Sequence, residues 1–188
     1  MSTSTKYTDT TSDDEWNAPF SSGDCSNITP VPYGDLHTVS PYVATPQAAI
    51  DLILTQLDLE QDDFLIDLGC GVGTINICAA KRFSTGGLGV DIDPDLVDQA
   101  THFSQTAEVA NMVKFEVKDV LDTDLSQATA VVSFLVPRHL KLLKSRLVHF
   151  IEQGGRLACY HYPLQGVTPT NVLQLQEGVD KNIFIYRK

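Results

Sequence analysis

Short apolar stretches alternate with longer amphipathic stretches along most of this chain. Strand-length stretches, apolar or alternating, occur at residues 64–68, 86–91, 113–117, 128–135, 156–164, 171–176 and 182–186. Apolar residues recur at helical spacing in residues 46–59, 74–83, 95–110 and 138–153. Because helices separate most of the strands, the pattern predicts an α/β fold, a doubly wound, Rossmann-like and mostly parallel seven-stranded sheet. The last two strands follow one another directly and predict an antiparallel C-terminal hairpin across residues 177–180.

The first 38 residues differ from the rest because they are rich in Ser, Thr, Asp and Pro and show no periodicity. Such a composition predicts a disordered acidic tail, followed by a single domain over residues 39–188. The whole chain of 188 residues has a formal net charge of −11. Because phosphate binding relies on clustered Lys and Arg, that charge argues against a nucleic-acid partner.

Residues 63–74 read D-F-L-I-D-L-G-C-G-V-G-T and form the centre of the pattern. A strand-length apolar run is broken by Gly69, Gly71 and Gly73, and a helical pattern follows. Glycines permit positive φ and close approach of a ligand, and the next helix presents free N–H groups to it. The spacing differs from the G-x-G-x-x-G of dinucleotide sites, and Asp67 would repel a phosphate but suits a cation or hydroxyl donors. An ordinary turn between strand and helix in another α/β protein is the alternative.

Acidic residues follow the next two predicted strands. Asp91 stands at the tip of the second strand, about 20 residues past the glycines, where a carboxylate can accept both hydroxyls of a ribose. Asp93 and Asp95 fit the start of the following helix better than a ligand site. Asp119 follows the third strand and, taken alone, is best explained as a loop residue. Thr45 before Pro46 can cap the first helix or border a ligand, and the two explanations stay open.

The motif D-x-G-x-G-x-G after a first strand resembles motif I of the class I S-adenosylmethionine-dependent methyltransferases. Further elements resemble one branch, the small protein-lysine methyltransferases that modify the c-subunit of ATP synthase and the adenine nucleotide translocase: P-Y-V-x-T-P, V-D-I-D-P, K-D-V, F-L-V-P, and G-G-R-L with Y-P-L. These pieces span roughly four-fifths of the chain. Two features depart from the branch: an acidic polar N-terminus replaces an apolar segment, and Val72 replaces a residue that is usually acidic.

The resemblance implies S-adenosyl-L-methionine as cofactor and assigns site residues. The implied cofactor-binding residues are Tyr42, Thr45, Asp67, Gly69, Gly71, Gly73, Asp91, Ile92, Asp119, Val120 and Leu135. Asp67 would lie near the methionine end, Asp91 on the ribose, and Asp119 with the Val120 N–H on the adenine. Tyr42, Pro137 and His161 would line the substrate channel, and none of them is a clear general base. Taken alone, His161 is better explained as a residue at a strand end without a catalytic role. No metal is expected, because the cysteines lack ligand spacing.

The expected activity is transfer of a methyl group to a lysine of a protein substrate. Methylation of a small molecule or RNA, and a non-enzymatic scaffold with the same fold, are the alternatives. The chain is expected to be a cytoplasmic monomer without a membrane segment, although the resemblance also allows a mitochondrial location. The helix over residues 138–153 carries Arg138, Lys141, Lys144 and Arg146, which form either a solvated face or a surface for an acidic partner.

Overall fold

A seven-stranded sheet forms the centre of the molecule. The structure is a computed structural model, and it describes residues 43–175 and 181–188. The strands are β1 (Phe64–Leu68), β2 (Gly86–Asp91), β3 (Val113–Val117), β4 (Ala130–Ser133), β5 (Arg156–Tyr160), β6 (Asn171–Gln174) and β7 (Asn182–Tyr186). The helices are α1 (Gln47–Leu57), α2 (Thr74–Phe83), α3 (Pro94–Thr106) and α4 (Pro137–Glu152), with a 3₁₀ helix at Val120–Asp122. Within the described ranges, no helix is both long and apolar enough to cross a bilayer.

The strand order is β3-β2-β1-β4-β5-β7-β6. Strands β1 to β5 pair in parallel, whereas β7 runs antiparallel between β5 and β6. The prediction of a mostly parallel sheet with an antiparallel C-terminal hairpin is confirmed. Because parallel strands end at the same edge, the residues that follow β1 to β5 meet at one edge, here called the carboxyl edge, where open α/β sheets bind ligands. The opposite edge is the amino edge.

Separate apolar clusters cover the two faces of the sheet. Helices α1, α2 and α3 pack on one face through buried residues such as Ile53, Ile77 and Phe103. Helix α4 packs on the other face with Leu140, Leu143 and Leu147 turned inward, and the 3₁₀ helix and neighbouring loops complete that face. A fully buried leucine contributes roughly 2 kcal/mol to folding. The two clusters therefore hold the strands in register and fix the carboxyl edge.

At the amino edge, the side chain of Arg156 joins three elements. Its guanidinium donates to the carbonyls of Leu57 (2.7 Å) and Asp58 (2.6 Å) at the end of α1. It also forms an ion pair with Asp63, which precedes β1. The G-G-R-L sequence thus places an arginine where it satisfies carbonyls that a helix end leaves without intrahelical partners.

Several predicted boundaries of strands and helices were wrong. Strand β4 was predicted over 128–135 but spans Ala130–Ser133, because the chain leaves the sheet to reach α4. Strand β5 was predicted over 156–164 but ends at Tyr160, since His161 adopts φ +73° and the Tyr162 N–H turns back onto the Tyr160 carbonyl. Helix α3 was predicted over 95–110 but ends at Thr106, shortly before Glu108 with φ +60°. The first two changes redirect the chain just beyond β4 and β5 at the carboxyl edge, whereas the third precedes β3 at the amino edge.

Of the two explanations left open for Thr45, the structure does not support the first, a cap on α1. Pro46 occupies the N-cap position, where its carbonyl accepts from the Ala49 and Ile50 N–H groups, and no side chain caps this helix. Since the helix begins one residue later than predicted, the hydroxyl of Thr45 stands one position too early to reach the first free N–H groups. The predicted tail over residues 1–38, the turn over 177–180 and Tyr42 lie outside the described residues.

Candidate active site

The turn between β1 and α2 has the conformation that its glycines allow. Gly69, Gly71 and Gly73 have φ values of +83°, +53° and +78°. A Cβ on Gly69 would lie 3.0 Å from the Leu135 side chain, and one on Gly73 would lie 2.5 Å from the Phe115 ring. At these positions a residue with a side chain would therefore have a strained backbone conformation, and its Cβ would contact neighbouring side chains too closely. Leu135, predicted to border the cofactor, lies against this turn.

Asp91 connects the tip of β2 to the glycine turn. Its Oδ2 accepts a hydrogen bond from the Gly71 N–H (2.9 Å), and its Oδ1 accepts from the Asp93 N–H (3.1 Å). A carboxylate has about four acceptor positions, so each oxygen can still accept from a ligand hydroxyl. The carboxylate therefore has two functions, of which the sequence indicated only the second: it holds the turn, and it presents free lone pairs at the carboxyl edge.

Asp67 is a buried carboxylate near the end of β1. It is 2% exposed, and its side chain forms no hydrogen bond or ion pair with any other described residue. Burial, and secondarily the nearby charge of Asp91, raises the pKa of Asp67 to about 8. An acceptor without a donor in this position is costly, and a cationic or hydroxyl-bearing ligand would relieve the cost. The arrangement fits the predicted position of a cationic cofactor beside Asp67.

The ends of β2 and β3 present apolar and polar groups to solvent. Ile92 is 62% exposed directly after β2, and Val117 is 54% exposed at the end of β3. Asp119 accepts from the Leu121 N–H (2.8 Å) and begins the 3₁₀ helix, so Val120 carries an N–H that such a helix leaves without an internal partner. An exposed apolar side chain beside free polar groups suits the face and edge of a planar ring. The roles of Ile92, Asp119 and Val120 stay predictions.

Four rings form an aromatic cluster where β4 and β5 end, namely Phe134, Tyr160, His161 and Tyr162. The Phe134 ring stands edge-on to Tyr160 at 4.7 Å and to His161 at 6.2 Å between centroids. The His161 and Tyr162 rings lie 4.1 Å apart. Pro137 begins α4 three residues after Phe134, so the two predicted channel residues, Pro137 and His161, follow neighbouring strands.

Among the described residues, five buried polar side-chain atoms have no partner, and four of them lie at this edge; the fifth, Asn76 Oδ1, lies beside Leu65 near the start of β1. Among the described residues, no group hydrogen-bonds to the Tyr160 hydroxyl, the His161 Nδ1, the Ser133 Oγ or the Asn182 Oδ1. Burial raises the pKa of Tyr160, so its phenol stays neutral at neutral pH. Unsatisfied buried groups are rare in folded proteins, and a bound ligand or an ordered water is a common source of the missing partner. Neither Ser133 nor Asn182 was predicted from the sequence.

A sequence signal existed for Ser133 but not for Asn182. Ser133 is the polar end of an otherwise apolar strand, and it lies opposite Cys159 on β5. Asn182 reaches the edge only because β7 inserts beside β5, where its carbonyl accepts from the His161 N–H (2.7 Å). Thr45, half-buried just before α1, keeps its predicted role beside the cofactor as a prediction. Residues 43–175 and 181–188 contain no group of three potential metal ligands.

This strand order, with its antiparallel seventh strand and its acidic glycine turn, defines the class I methyltransferase fold. Comparison with known proteins gives the family. The ANTKMT methyltransferase domain matches residues 67–171, more than half of the chain. The chain therefore belongs to the ANTKMT methyltransferase domain family, which confirms the predicted family and a methyltransferase that uses S-adenosylmethionine.

Similar proteins come from several organisms. A protein-lysine N-methyltransferase of Saccharolobus islandicus is 29% identical over 148 residues, covering 78% of this chain and 92% of that protein. The human lysine N-methyltransferase of the ATP synthase c-subunit is 29% identical over 140 residues, 74% of this chain and 58% of that protein. The crystal structure of an RNA methyltransferase from Salinibacter ruber with S-adenosyl-L-homocysteine is 31% identical, with a TM-score of 0.70, covering 77% of this chain and 92% of that one.

Proposed function

We propose that this chain methylates a lysine side chain of a protein, with S-adenosyl-L-methionine as the methyl donor. The observation that carries the proposal is the aromatic cluster, in which buried polar atoms of Tyr160 and His161 have no partner among the described residues. Such a site suits the amine of a lysine, because the rings can surround its alkyl chain and the polar atoms can accept its N–H hydrogen bonds. The names of the archaeal and human relatives support the same substrate class.

The residues at the glycine turn fit the proposed cofactor. Asp91 would hold the ribose, Asp67 would face the positively charged methionine end, and Ile92 with Asp119 and Val120 would hold the adenine. The bound cofactor supplies a methyl group that is electrophilic because it is carried on a sulfonium sulfur. The chain then has to deliver a nucleophile in line and keep water away, which is catalysis by orientation.

A lysine must lose its proton before it can act as a nucleophile. Burial disfavours the charged amine and lowers its pKa, and the aromatic cluster provides apolar surroundings for that change. The Tyr160 hydroxyl and the His161 Nδ1 can accept hydrogen bonds from the amine and orient its lone pair. In this proposal these residues position the substrate, and the released proton passes to solvent.

Replacing Tyr160 by Phe tests this assignment. The substitution keeps the ring and removes a hydroxyl that is buried without a partner, so the free energy of unfolding should stay equal or rise by up to about 1 kcal/mol. Turnover with a protein substrate should fall about tenfold because the amine loses one acceptor, while affinity for S-adenosylhomocysteine stays unchanged. Single-turnover methylation and calorimetry give these quantities. If the variant is more stable and keeps full activity, the Tyr160 hydroxyl does not position the substrate and the residue serves only in packing.

RNA methylation is the second candidate, because the RNA methyltransferase of Salinibacter ruber covers as much of this chain as the archaeal lysine enzyme does. The net charge of −11 favours a protein substrate over RNA. The two are separated by incubating the chain and a cell lysate with methyl-labelled cofactor, then digesting with protease or ribonuclease. Recovery of methyl-lysine after acid hydrolysis supports the proposal. Label that only ribonuclease removes contradicts it, and an Asp91→Ala variant provides the background.

A further inference from the structure

We infer that a groove between α4 and the loop after β5 binds an acidic segment of the protein substrate, next to the target lysine. The groove has a volume of about 450 Å³. Its walls include Pro137, Leu140, Lys141 and Lys144 on α4, and Pro163 and Gly166 on the loop. It is called the basic groove below. The inference deepens the proposed function and rests on it, because it names the kind of sequence that surrounds the methylated lysine.

One end of the basic groove opens beside the aromatic cluster. Pro137 is the first residue of α4 and follows the segment that carries Phe134 out of the sheet. Pro163 follows Tyr162 directly on the other wall. In the inferred complex, the substrate chain on one side of the lysine leaves the carboxyl edge past these two prolines.

The length of the groove sets the length of the segment it can hold. Pro137, Lys141 and Lys144 lie along one side of α4, and seven residues of helix span about 10 Å. An extended peptide advances about 3.3 Å per residue, so about three residues fit along the wall. Acidic residues within about three positions of the lysine would thus reach the two ammonium groups.

The charge of the groove is opposite to that of the rest of the molecule. Lys141 is exposed and Lys144 half-buried, and within the described residues neither forms an ion pair. Arg146 on the same helix is engaged elsewhere, since its guanidinium donates to the carbonyls of Leu121 and Thr123. In the sequence of α4 the only acidic residue is Glu152, at the far end. Two unpaired cations in a chain of net charge −11 form a local binding site for carboxylates.

The chemistry of the walls favours a peptide over a nucleic acid. Besides the two lysines, its described lining consists of two prolines, a leucine, a glutamine and a glycine, and has no aromatic ring on which a base could stack. Two lysines neutralise few phosphates, and the described lining of the groove adds no other cation to them. Apolar walls with two ammonium groups suit a short stretch of aliphatic and acidic side chains.

The test uses the full chain and short synthetic peptides with a single lysine. The residues flanking the lysine are Glu in one peptide, Gln in the second and Arg in the third. For the wild-type chain, the Glu peptide should have a KM about fivefold below that of the Gln peptide, with similar kcat, because two partly exposed ion pairs supply a modest gain. The double variant K141E/K144E should lose that preference and favour the Arg peptide.

A matched control carries the same change of charge at the other side of the molecule. Lys114 lies exposed on β3, and Lys188 is exposed beyond β7, so K114E/K188E should keep the preference for Glu. Affinity for S-adenosylhomocysteine shows that each variant is folded and keeps its cofactor site. Raising the salt concentration should reduce the preference of the wild-type chain, as expected for exposed charges.

Peptide binding is measured separately by fluorescence anisotropy in the presence of S-adenosylhomocysteine. Equal transfer to the Glu and Gln peptides would overturn the inference and leave lysine methylation standing. Charge-dependent binding without transfer to any peptide would support the groove and count against the proposed function. Displacement of the Glu peptide by a single-stranded oligoribonucleotide of equal or higher affinity would assign the groove to RNA and overturn the inference. Absence of Glu-peptide binding would overturn it whatever the transfer result.

Discussion

Two aspartates at opposite ends of β1 show how differently the two edges of the sheet are built. Asp63, at the amino edge, is surrounded by partners. Burial alone would raise its pKa, but hydrogen bonds from the Glu60 N–H and the Thr129 side chain, together with the charge of Arg156, lower it overall. Asp67, at the carboxyl edge, has no such partner among the described residues, and burial raises its pKa to about 8. One carboxylate stabilises the folded chain, and the other is left for a ligand.

The same contrast holds for the rest of the two edges. At the amino edge, Arg156 and the Thr85 hydroxyl satisfy backbone carbonyls, and Asn76 Oδ1 is the one buried side-chain atom near the start of β1 without a partner among the described residues. At the carboxyl edge, polar atoms lack partners among the described residues and Ile92 is exposed. In natural proteins, buried polar groups without hydrogen-bond partners and exposed apolar side chains occur mainly at functional sites. The molecule therefore separates stability and function between the two ends of its strands.

The largest expected effect is on cofactor binding. Asp91→Ala removes both acceptors for the proposed ribose hydroxyls and releases the Gly71 N–H, so the dissociation constant for S-adenosylhomocysteine should rise about 100-fold, or about 3 kcal/mol. Asp91→Asn keeps one oxygen and should lose about tenfold. Calorimetry measures both, and circular dichroism should show an intact fold. The exposed Asp95→Asn is the control, and unchanged affinity in Asp91→Ala would place the ribose elsewhere.

At the amino edge, Arg156→Met should lower the free energy of unfolding by about 3 kcal/mol. The side chains of Arg156 and Asp63 are 21% and 11% exposed, so the change leaves a largely buried carboxylate without its counter-charge and two carbonyls without a donor. Urea unfolding measures the loss. The more exposed pair of Arg82 and Asp51 serves for comparison, where Arg82→Met should cost less than about 1 kcal/mol. Equal losses in the two variants would contradict the special role of Arg156.

Asp67→Asn should stabilise the ligand-free protein in a pH-dependent manner. The pKa of Asp67 is about 8 in the folded protein against a reference of 3.8, so the folded state binds the proton more tightly. Wild-type stability from this residue is therefore full at low pH and is lost as the pH rises toward about 8. The variant should match wild type near pH 4 and exceed it by at least about 2 kcal/mol above pH 8. Thermal unfolding across this pH range measures the difference in stability between the two proteins. A difference that does not change with pH would show that Asp67 is not a buried carboxylate with a raised pKa.

The smallest effect is expected at Thr45. Since its hydroxyl does not cap α1, Thr45→Ala should change the free energy of unfolding by less than about 0.5 kcal/mol, instead of the typical loss of about 1 kcal/mol for a true cap. A drop in affinity for S-adenosylhomocysteine without a drop in stability would support its predicted place beside the cofactor. A loss of about 1 kcal/mol, as expected for a true cap, would show that the Thr45 side chain caps α1.

Much of this fold could be predicted because its signals are local. Apolar or alternating runs of five residues define β1 and β3, and the glycines fix the turn that follows β1. The rule that ligands bind at the carboxyl ends of parallel strands then brings Asp67 and Asp91 together without knowledge of the structure. The resemblance to a family added the branch and the expected cofactor.

Other features depend on tertiary contacts that no local pattern contains. The end of β5 is set by the turned backbone of His161, and the neighbour of that residue, Asn182, comes from a strand 21 positions later in the sequence. The aromatic cluster and the basic groove likewise arise because α4 and the loop after β5 lie side by side. Periodicity gives the elements, whereas register and packing decide which side chains meet.

The Phe115 ring has a consequence for how fast a ligand can bind. It occupies the space that a side chain at Gly73 or Gly89 would need, and with the bond from the Gly71 N–H to Asp91 it keeps the turn in one conformation before any ligand arrives. A preorganised turn loses little conformational entropy on binding, and association needs no rearrangement of this segment. Cofactor exchange between turnovers should then be governed by the rate at which the spent cofactor leaves.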